Sequence, residues 1–360
     1  MGQAIRYSDD LEQVQPDEER ISQEIVAHMA EQQAAHALRH RHAHRDAHAK
    51  SHALLAGRLA VHEGLPPAYA QGIFAEPGTY DVLVRLSSAP GDIHSDEVPE
   101  PRGMALKVLD VPGERLDPSR DGCNQDLLMV NIPVLAFGTV TRYQQMLGLL
   151  EKNAAQPALA QRGVAAVART VEKIVERGGR PPGATLAGLA STHHHPLGET
   201  YHSQGALRHG DHVAKVSVAP TGATAELTGR SLSGDFDAIR ETLVEHFATA
   251  GATYELRVQL STDREAMPVE DAAVAWDPEL APHVPVATLE LEPQDVGSPA
   301  RQVYGDDHLS FDPWNGVVAH RPLGSIMRVR RLAYASSSQQ RHRLNDIPMH
   351  EPRSLADVPR

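Results

Sequence analysis

An arginine and a tyrosine near the end of the sequence have the types and the spacing that iron chemistry needs. Arg330 precedes Tyr334 by four positions. On a helix, residues four apart lie one above the other on the same face. A permanent guanidinium charge there favours the phenolate and lowers the pKa of the tyrosine. A phenolate oxygen is a hard anionic ligand suited to ferric iron. Because such a pair more often forms an ordinary helix face, its meaning depends on the rest of the chain.

Three upstream segments carry further polar residues in a defined order. They are residues 45–51 (RDAHAKS), residues 84–91 (VRLSSAPG) with 100–107 (EPRGMALK), and residues 125–133 (QDLLMVNIP). In the second segment, apolar residues alternate with polar ones, which is typical of a strand. Side chains two apart on a strand share a face, so Arg85 and Ser87 are expected to project together, opposite the apolar row.

With the tyrosine run, these segments stand in the order and spacing of haem catalases. The sequence resembles the catalase superfamily, in particular its short, catalase-related peroxidase branch. The resemblance extends in patches from about residue 45 to residue 348, and it includes residues 310–315 (SFDPWN) and 341–345 (RHRLN). It implies haem b as the cofactor, with Tyr334 as the axial ligand of the haem iron and Arg330 holding that tyrosine as the phenolate.

The resemblance also assigns roles on the other side of the haem. His48 corresponds to the distal histidine, which takes a proton from peroxide and returns it to the departing oxygen. Ser87 corresponds to the serine that hydrogen-bonds this imidazole and fixes its tautomer. Arg45 and Arg85 correspond to the arginines that pair with the haem propionates.

The third segment departs from the pattern of catalases. Catalases place an asparagine three residues before the proline, where it binds peroxide beside the histidine. In ungapped register that position is Val130 here, and Asn131 is its neighbour. We assign Asn131 to the catalytic group, which requires the backbone to shift by one residue. Residues 134–136 (VLA) stand where catalases have aromatic residues, so the distal pocket is expected to be larger and to admit bulkier molecules.

The periodicity predicts an α+β fold. Strands are predicted at residues 54–62, 80–86, 103–109, 126–131, 212–218, 224–227 and 253–260, and helices at 16–41, 140–152, 158–177, 235–250 and 325–335. Residues 263–308 are Pro-rich and are expected to form a long surface connection. From the resemblance we expect a catalase-like antiparallel eight-stranded β-barrel with surrounding helices, lacking the C-terminal helical domain of full-length catalases. Residues 1–40 would be an N-terminal arm and helix, and 41–360 the haem-binding domain.

Composition excludes several other classes of protein. The formal charge of −13 argues against a general nucleic-acid surface, which needs a basic face. No apolar run approaches the roughly 18–20 residues that span a bilayer, and the N-terminus lacks the apolar stretch of a signal peptide. The single Cys123 cannot form an internal disulfide and is expected to be a small buried side chain. We therefore expect a cytoplasmic protein, with a peroxide and a small organic molecule as partners, and a homodimer as the smaller oligomer that the shorter chain predicts.

Histidine is abundant, with 21 residues, seven of them between positions 36 and 62 and three at 193–195. Either cluster could hold a metal, but exposed histidines that respond to mildly acidic pH are the favoured interpretation. The leading functional hypothesis is a haem-dependent peroxidase that reduces hydrogen peroxide or organic hydroperoxides with an organic donor, with weak catalase activity. Two alternatives stay open: a catalase-like haem enzyme of a biosynthetic pathway, and a non-catalytic haem or metal binder.

Overall fold

A closed antiparallel β-barrel forms the centre of the protein. The computed structural model describes residues 2–98, 100–120, 122–146, 194–232 and 234–360. Its nine strands are β1 (Ser51–Val61), β2 (Gly78–Ser88), β3 (Arg102–Val108), β4 (Gln125–Val130), β5 (Tyr201–His202), β6 (Leu207–His209), β7 (His212–Pro220), β8 (Ala252–Leu260) and β9 (His283–Leu291).

Eight of these strands close the barrel. They follow one another around it as β5-β4-β3-β2-β1-β9-β8-β7, and β7 pairs back onto β5. The short strand β6 extends β7 outside this ring. Every pairing is antiparallel. The catalase-like eight-stranded barrel that the resemblance implied is therefore confirmed.

The two faces of each strand have different surroundings. On β2, the side chains of Val82, Val84 and Leu86 belong to the large apolar core inside the barrel. Because side chains alternate along a strand, Arg85 and Ser87 lie on the outer face. The barrel interior is thus filled with apolar side chains, and any cavity for chemistry must lie outside it.

Helices cover this outer face. They are α1 (Glu18–His40), α2 (Gly222–Ala225), α3 (Ala238–Phe247), α4 (Pro299–Val303) and α5 (Ser325–Asn345), and α1 and α5 pack on each other. Arg328 fixes the first turn of α5, since its guanidinium donates to Glu12, Glu18 and Glu270. None of the helices in the described parts of the chain is both long and apolar enough to cross a membrane.

Most predicted elements occur within a few residues of their predicted limits. Three expectations are wrong. Residues 224–227 are not a strand, because Gly222 takes a φ of 53° and turns the chain into the short helix α2. The expected surface connection at 263–308 contains β9, which closes the barrel between β1 and β8. Cys123 is exposed, in the irregular segment before β4. The predicted helix at 158–177 lies outside the described residues.

Candidate active site

One cavity lies between the outer face of strands β2–β5 and helix α5. It encloses about 830 Å³ of atom-free space, including its open mouth. Six of the seven predicted site residues line it, and they come from the segment before β1, from β2 and from α5: Arg45, His48, Arg85, Ser87, Arg330 and Tyr334.

Tyr334 and Arg330 lie on α5, as the helical spacing predicted. The Arg330 guanidinium lowers the pKa of Tyr334, but burial of the phenol has the larger effect, and the net pKa is raised. Arg330 therefore has the expected effect on the Tyr334 pKa, but burial outweighs it. A phenol of this kind loses its proton when a metal cation replaces it, because metal binding releases protons from its ligands.

His48 is held from three directions in the segment before β1. Its φ of 56° is unusual for a residue with a side chain. Its backbone N–H donates to the Ala89 carbonyl at 2.8 Å, and its carbonyl accepts from Arg85 Nη2 at 2.9 Å. The ring Nδ1 lies 3.0 Å from Ser87 Oγ. These contacts orient the ring so that Nε2, which has no hydrogen-bond partner among the described residues, is left for the cavity.

The imidazole of His48 is neutral over the physiological pH range. Burial and the nearby cations Arg85, Arg330 and Arg45 lower the pKa of His48 to about 3. Gly103 on β3 makes room for the ring, since a Cβ at this position would lie 2.5 Å from His48 Cε1 and Nδ1. A neutral, oriented imidazole can accept and return a proton.

Three guanidinium groups gather at one end of the cavity. Arg45 Nη2 donates to the carbonyls of Gly305 and Leu309, each at 2.8 Å. Arg341 Nη2 also donates to the Leu309 carbonyl, at 2.9 Å. Asp306 Oδ1 lies 3.4 Å from Arg45 Nη1 and 3.3 Å from Arg85 Nη2.

This arginine cluster has more positive than negative charge. Burial and the like charges of Arg85 and Arg341 lower the pKa of Arg45, and the Arg341 pKa falls to about 10 from burial and repulsion by Arg85. The buried Nε atoms of Arg85 and Arg341 have no hydrogen-bond partner in the described parts of the chain. Unused donors and excess cationic charge fit a ligand that brings carboxylates, as the two propionates of haem would.

Asn131 is the one predicted site residue that does not line the cavity. Its side-chain Oδ1 accepts from the backbone N–H of Arg102 at 2.8 Å, and the Asn131 N–H donates to the Arg102 carbonyl at 3.0 Å. The backbone shift that its catalytic assignment required is absent. Val130, the last residue of β4, lines the cavity instead.

The sequence reasoning did not single out three residues of the site. Arg341 had a usable signal, because it follows Tyr334 by seven residues, or about two helical turns, and so shares its face. Gly103 lay in a quoted segment, but its role depends on the position of His48. His202 lines the cavity from β5, which only the sheet pairing reveals.

Two histidines of the first cluster form hydrogen bonds with carboxylates. His40 Nε2 lies 2.6 Å from Asp92 Oδ1, and His42 Nε2 lies 2.7 Å from Asp307 Oδ1. Within the described ranges, no three His, Cys, Asp or Glu side chains are arranged to hold a metal ion. Of the run at 193–195, His193 lies outside those ranges.

Comparison with known proteins agrees with the fold. The structure is similar to a bacterial catalase (18% identity, TM-score 0.60), covering 89% of this chain and 62% of that one. A fungal catalase has 15% identity and a TM-score of 0.57, with 86% of this chain and 61% of that chain covered. Catalase A from Saccharomyces cerevisiae has 17% identity and a TM-score of 0.57, with 87% of this chain and 65% of that chain covered. The chain thus spans less than two thirds of the length of these catalases. No family model matches the sequence, and no curated protein does. The chain has the fold of the catalases.

Proposed function

We propose that the protein is a haem-dependent peroxidase that reduces hydrogen peroxide or organic hydroperoxides with an organic electron donor. The observation that carries this proposal is a single cavity that holds a buried tyrosine on one wall and a neutral, oriented histidine on another. The gathered guanidinium groups at its end add a place for two carboxylates. Neither wall alone would distinguish this site from an ordinary polar cavity.

Haem b fits the donors that the cavity offers. Tyr334 would bind the iron through its phenolate oxygen, and Arg330, four residues before it on α5, stabilises that anion. Arg45, Arg85 and Arg341 would pair with the propionates through charge-assisted hydrogen bonds. When bound, haem would supply the redox chemistry by which a peroxide is reduced with electrons from a donor.

His48 carries the proton transfer. Its Nε2, left for the cavity, takes the proton from the hydroperoxide oxygen and then gives it to the departing oxygen. Ser87 holds the His48 ring through its contact with Nδ1, so that the lone pair of Nε2 stays directed at the substrate. Because the pKa of His48 is lowered to about 3, the imidazole is in its accepting form at neutral pH.

The surroundings of His48 favour peroxidase over catalase turnover. Catalase turnover needs a second hydrogen peroxide molecule to be oriented beside the histidine. The neighbouring wall residues Val130 and Leu128 offer no side-chain donor for it, and the Asn131 amide oxygen is bonded to the backbone. An organic donor would supply the electrons instead. We therefore propose that catalase turnover is weak.

The visible spectrum tests the proposal directly. The purified protein, given haem if it is isolated without it, is expected to show a Soret band with the high-spin ferric features of tyrosinate ligation. Tyr334→Phe should abolish those features, whereas Tyr80→Phe on β2 should keep them. His48→Ala should retain haem and lose the spectral response to peroxide and the oxidation of a guaiacol-type donor.

A protein that neither contains nor takes up haem would overturn the proposal. If the protein binds haem but responds to no hydroperoxide, it is a non-catalytic haem binder and the peroxidase proposal is wrong. If hydroperoxides are consumed without oxidation of a donor, product analysis would show a rearrangement and refute the peroxidase assignment.

A further inference from the structure

Four residues of the cavity wall lie in one row across neighbouring strands. Ser87 on β2 pairs with Gly103 on β3, Gly103 pairs with Val130 on β4, and Val130 pairs with His202 on β5. Paired residues of adjacent strands point to the same face of a sheet. All four residues line the cavity. The row is therefore a continuous strip of its wall, one residue wide and four strands long.

The two ends of this row each present an imidazole. At the first end, the ring of His48 rests on Gly103. At the other end stands His202, two strands from Gly103. Strands lie about 4.7–4.9 Å apart, so roughly 10 Å of wall separates the Cα atoms of Gly103 and His202.

His202 is a polar group at its end of the row with open hydrogen-bonding capacity. The Gln204 amide donates to the carbonyls of Ile132 and Val134, and the Ser203 hydroxyl donates to the Gly205 carbonyl. Neither ring nitrogen of His202 has a hydrogen-bond partner among the described residues, and its ring contact is with His283 at a centroid distance of 6.2 Å. Burial, with further effects from His283 and Lys215, lowers the pKa of His202 to about 4, so the ring is a neutral donor and acceptor.

The stretch between the two imidazoles is apolar. Val130 occupies its middle, and Leu128, on the same face of the same strand, also lines the cavity. Hydrogen peroxide bound at His48 would leave this surface in contact with water alone. A carbon chain would cover it, and burial of apolar surface is favourable by about 25 cal/mol per Å².

We propose that Val130 and His202 form a specificity subsite, and that the preferred substrate is an extended organic hydroperoxide. Its hydroperoxy group meets His48, its carbon body lies on Val130, and a neutral hydrogen-bonding group at its far end meets His202. This inference rests on the proposed peroxidase function and names the substrate class of that site.

Equilibrium binding separates this subsite from catalysis. The probes are two redox-inert alcohols, octanol and octanediol with hydroxyls at both ends, and their Kd values are measured by calorimetry on the haem-loaded protein. Octanediol is expected to bind more tightly than octanol. His202→Ala should weaken octanediol binding about fivefold, because one net hydrogen bond is lost. Octanol binding should be unchanged.

Two further variants complete the binding test. His202→Gln, which keeps a donor and an acceptor, should restore most of the affinity for octanediol. His212→Ala removes another half-buried histidine, on β7 and outside the cavity, and should change neither Kd. Equal Kd values for both alcohols in the wild-type protein, or equal losses in His202→Ala and His212→Ala, would overturn the subsite.

Turnover then tests the substrate class. The ratio of kcat/KM for octyl hydroperoxide to that for hydrogen peroxide should be high in the wild-type protein. It should fall about tenfold in Val130→Asn, because an amide replaces apolar contact with the chain and offers hydrogen peroxide a donor. If octyl hydroperoxide and hydrogen peroxide are both turned over but Val130→Asn leaves the ratio unchanged, this inference fails while the proposed function stands. If neither is turned over, the proposed function itself fails.

Discussion

Adding one methyl group at Gly103 is expected to disable His48 without removing the haem. The Cβ of alanine there would lie 2.5 Å from two atoms of the His48 ring and 3.0 Å from Ser87 Oγ. Carbon atoms are in optimal contact at about 3.5–4.0 Å, so the ring must retreat by about 1 Å. The ring cannot retreat freely, because Ser87 and the backbone bonds of His48 hold it.

The cost in rate follows from this displacement. A misplacement of about 1 Å in a reacting group lowers a rate by roughly 10²-fold. We therefore expect the second-order rate constant of Gly103→Ala with hydrogen peroxide to fall about 10²-fold. Crowding of this kind costs about 1–3 kcal/mol of stability, which a protein of this size should tolerate.

Stopped-flow absorbance at the Soret band measures the reaction with peroxide, and a haem titration measures cofactor affinity. The matched control is Gly78→Ala at the start of β2, where a Cβ would meet no atom within 4 Å. It should react at the wild-type rate. A wild-type rate in folded, haem-loaded Gly103→Ala would refute the positioning of His48 described here.

Four other outcomes are expected. Arg341→Met should weaken haem affinity about 10–100-fold in a titration, because one charge-assisted hydrogen bond is lost. Ser87→Ala should slow the reaction with peroxide about tenfold while the haem spectrum is kept. Since the pKa of His48 is depressed to about 3, its accepting form persists as pH falls, and the peroxide rate constant should be nearly flat from roughly pH 8 to pH 5, whereas an ordinary histidine would lose most of it. Lys107→Met should lower the free energy of unfolding by about 3–5 kcal/mol in a denaturant titration, because the buried Asp126 carboxylate, 2.8 Å from Lys107 Nζ, loses its partner.

The parts of the fold that the sequence predicted are those with a clear hydrophobic period. Strand β2 and the first half of helix α5 carry such periods, and both were predicted, but the polar second half of α5, up to Asn345, was not. Strand β9 was missed because Pro285 interrupts its pattern. In the structure Pro285 lies where the pairing of β8 and β9 shifts register after Leu256, and such irregularities are where a strand tolerates proline.

The site divides in the same way. The facing of Arg330 and Tyr334 on α5, and of Arg85 and Ser87 on β2, could be inferred from their spacing. His48 and Arg45 lie in the irregular segment before β1, and their roles came from the resemblance to catalases. Asn131 could not be resolved, because one residue of strand register decides which neighbour faces the cavity. His202 could not be predicted, since β5 is only two residues long and pairs with Val130, which is distant from it in the sequence.

The alternation along β2 has a consequence for how this protein tolerates mutation. Val82, Val84 and Leu86 face the barrel interior, whereas Arg85 and Ser87 face the cavity. Selection for a stable barrel and selection for reactivity therefore act on alternate residues of the same strand. In a saturation mutagenesis scan of this strand, substitutions at the interior-facing positions should lower protein abundance. Substitutions at the cavity-facing positions should leave abundance normal and lower peroxide reactivity. The residues of the cavity wall could then be substituted to accept new substrates while every residue that fills the barrel is kept.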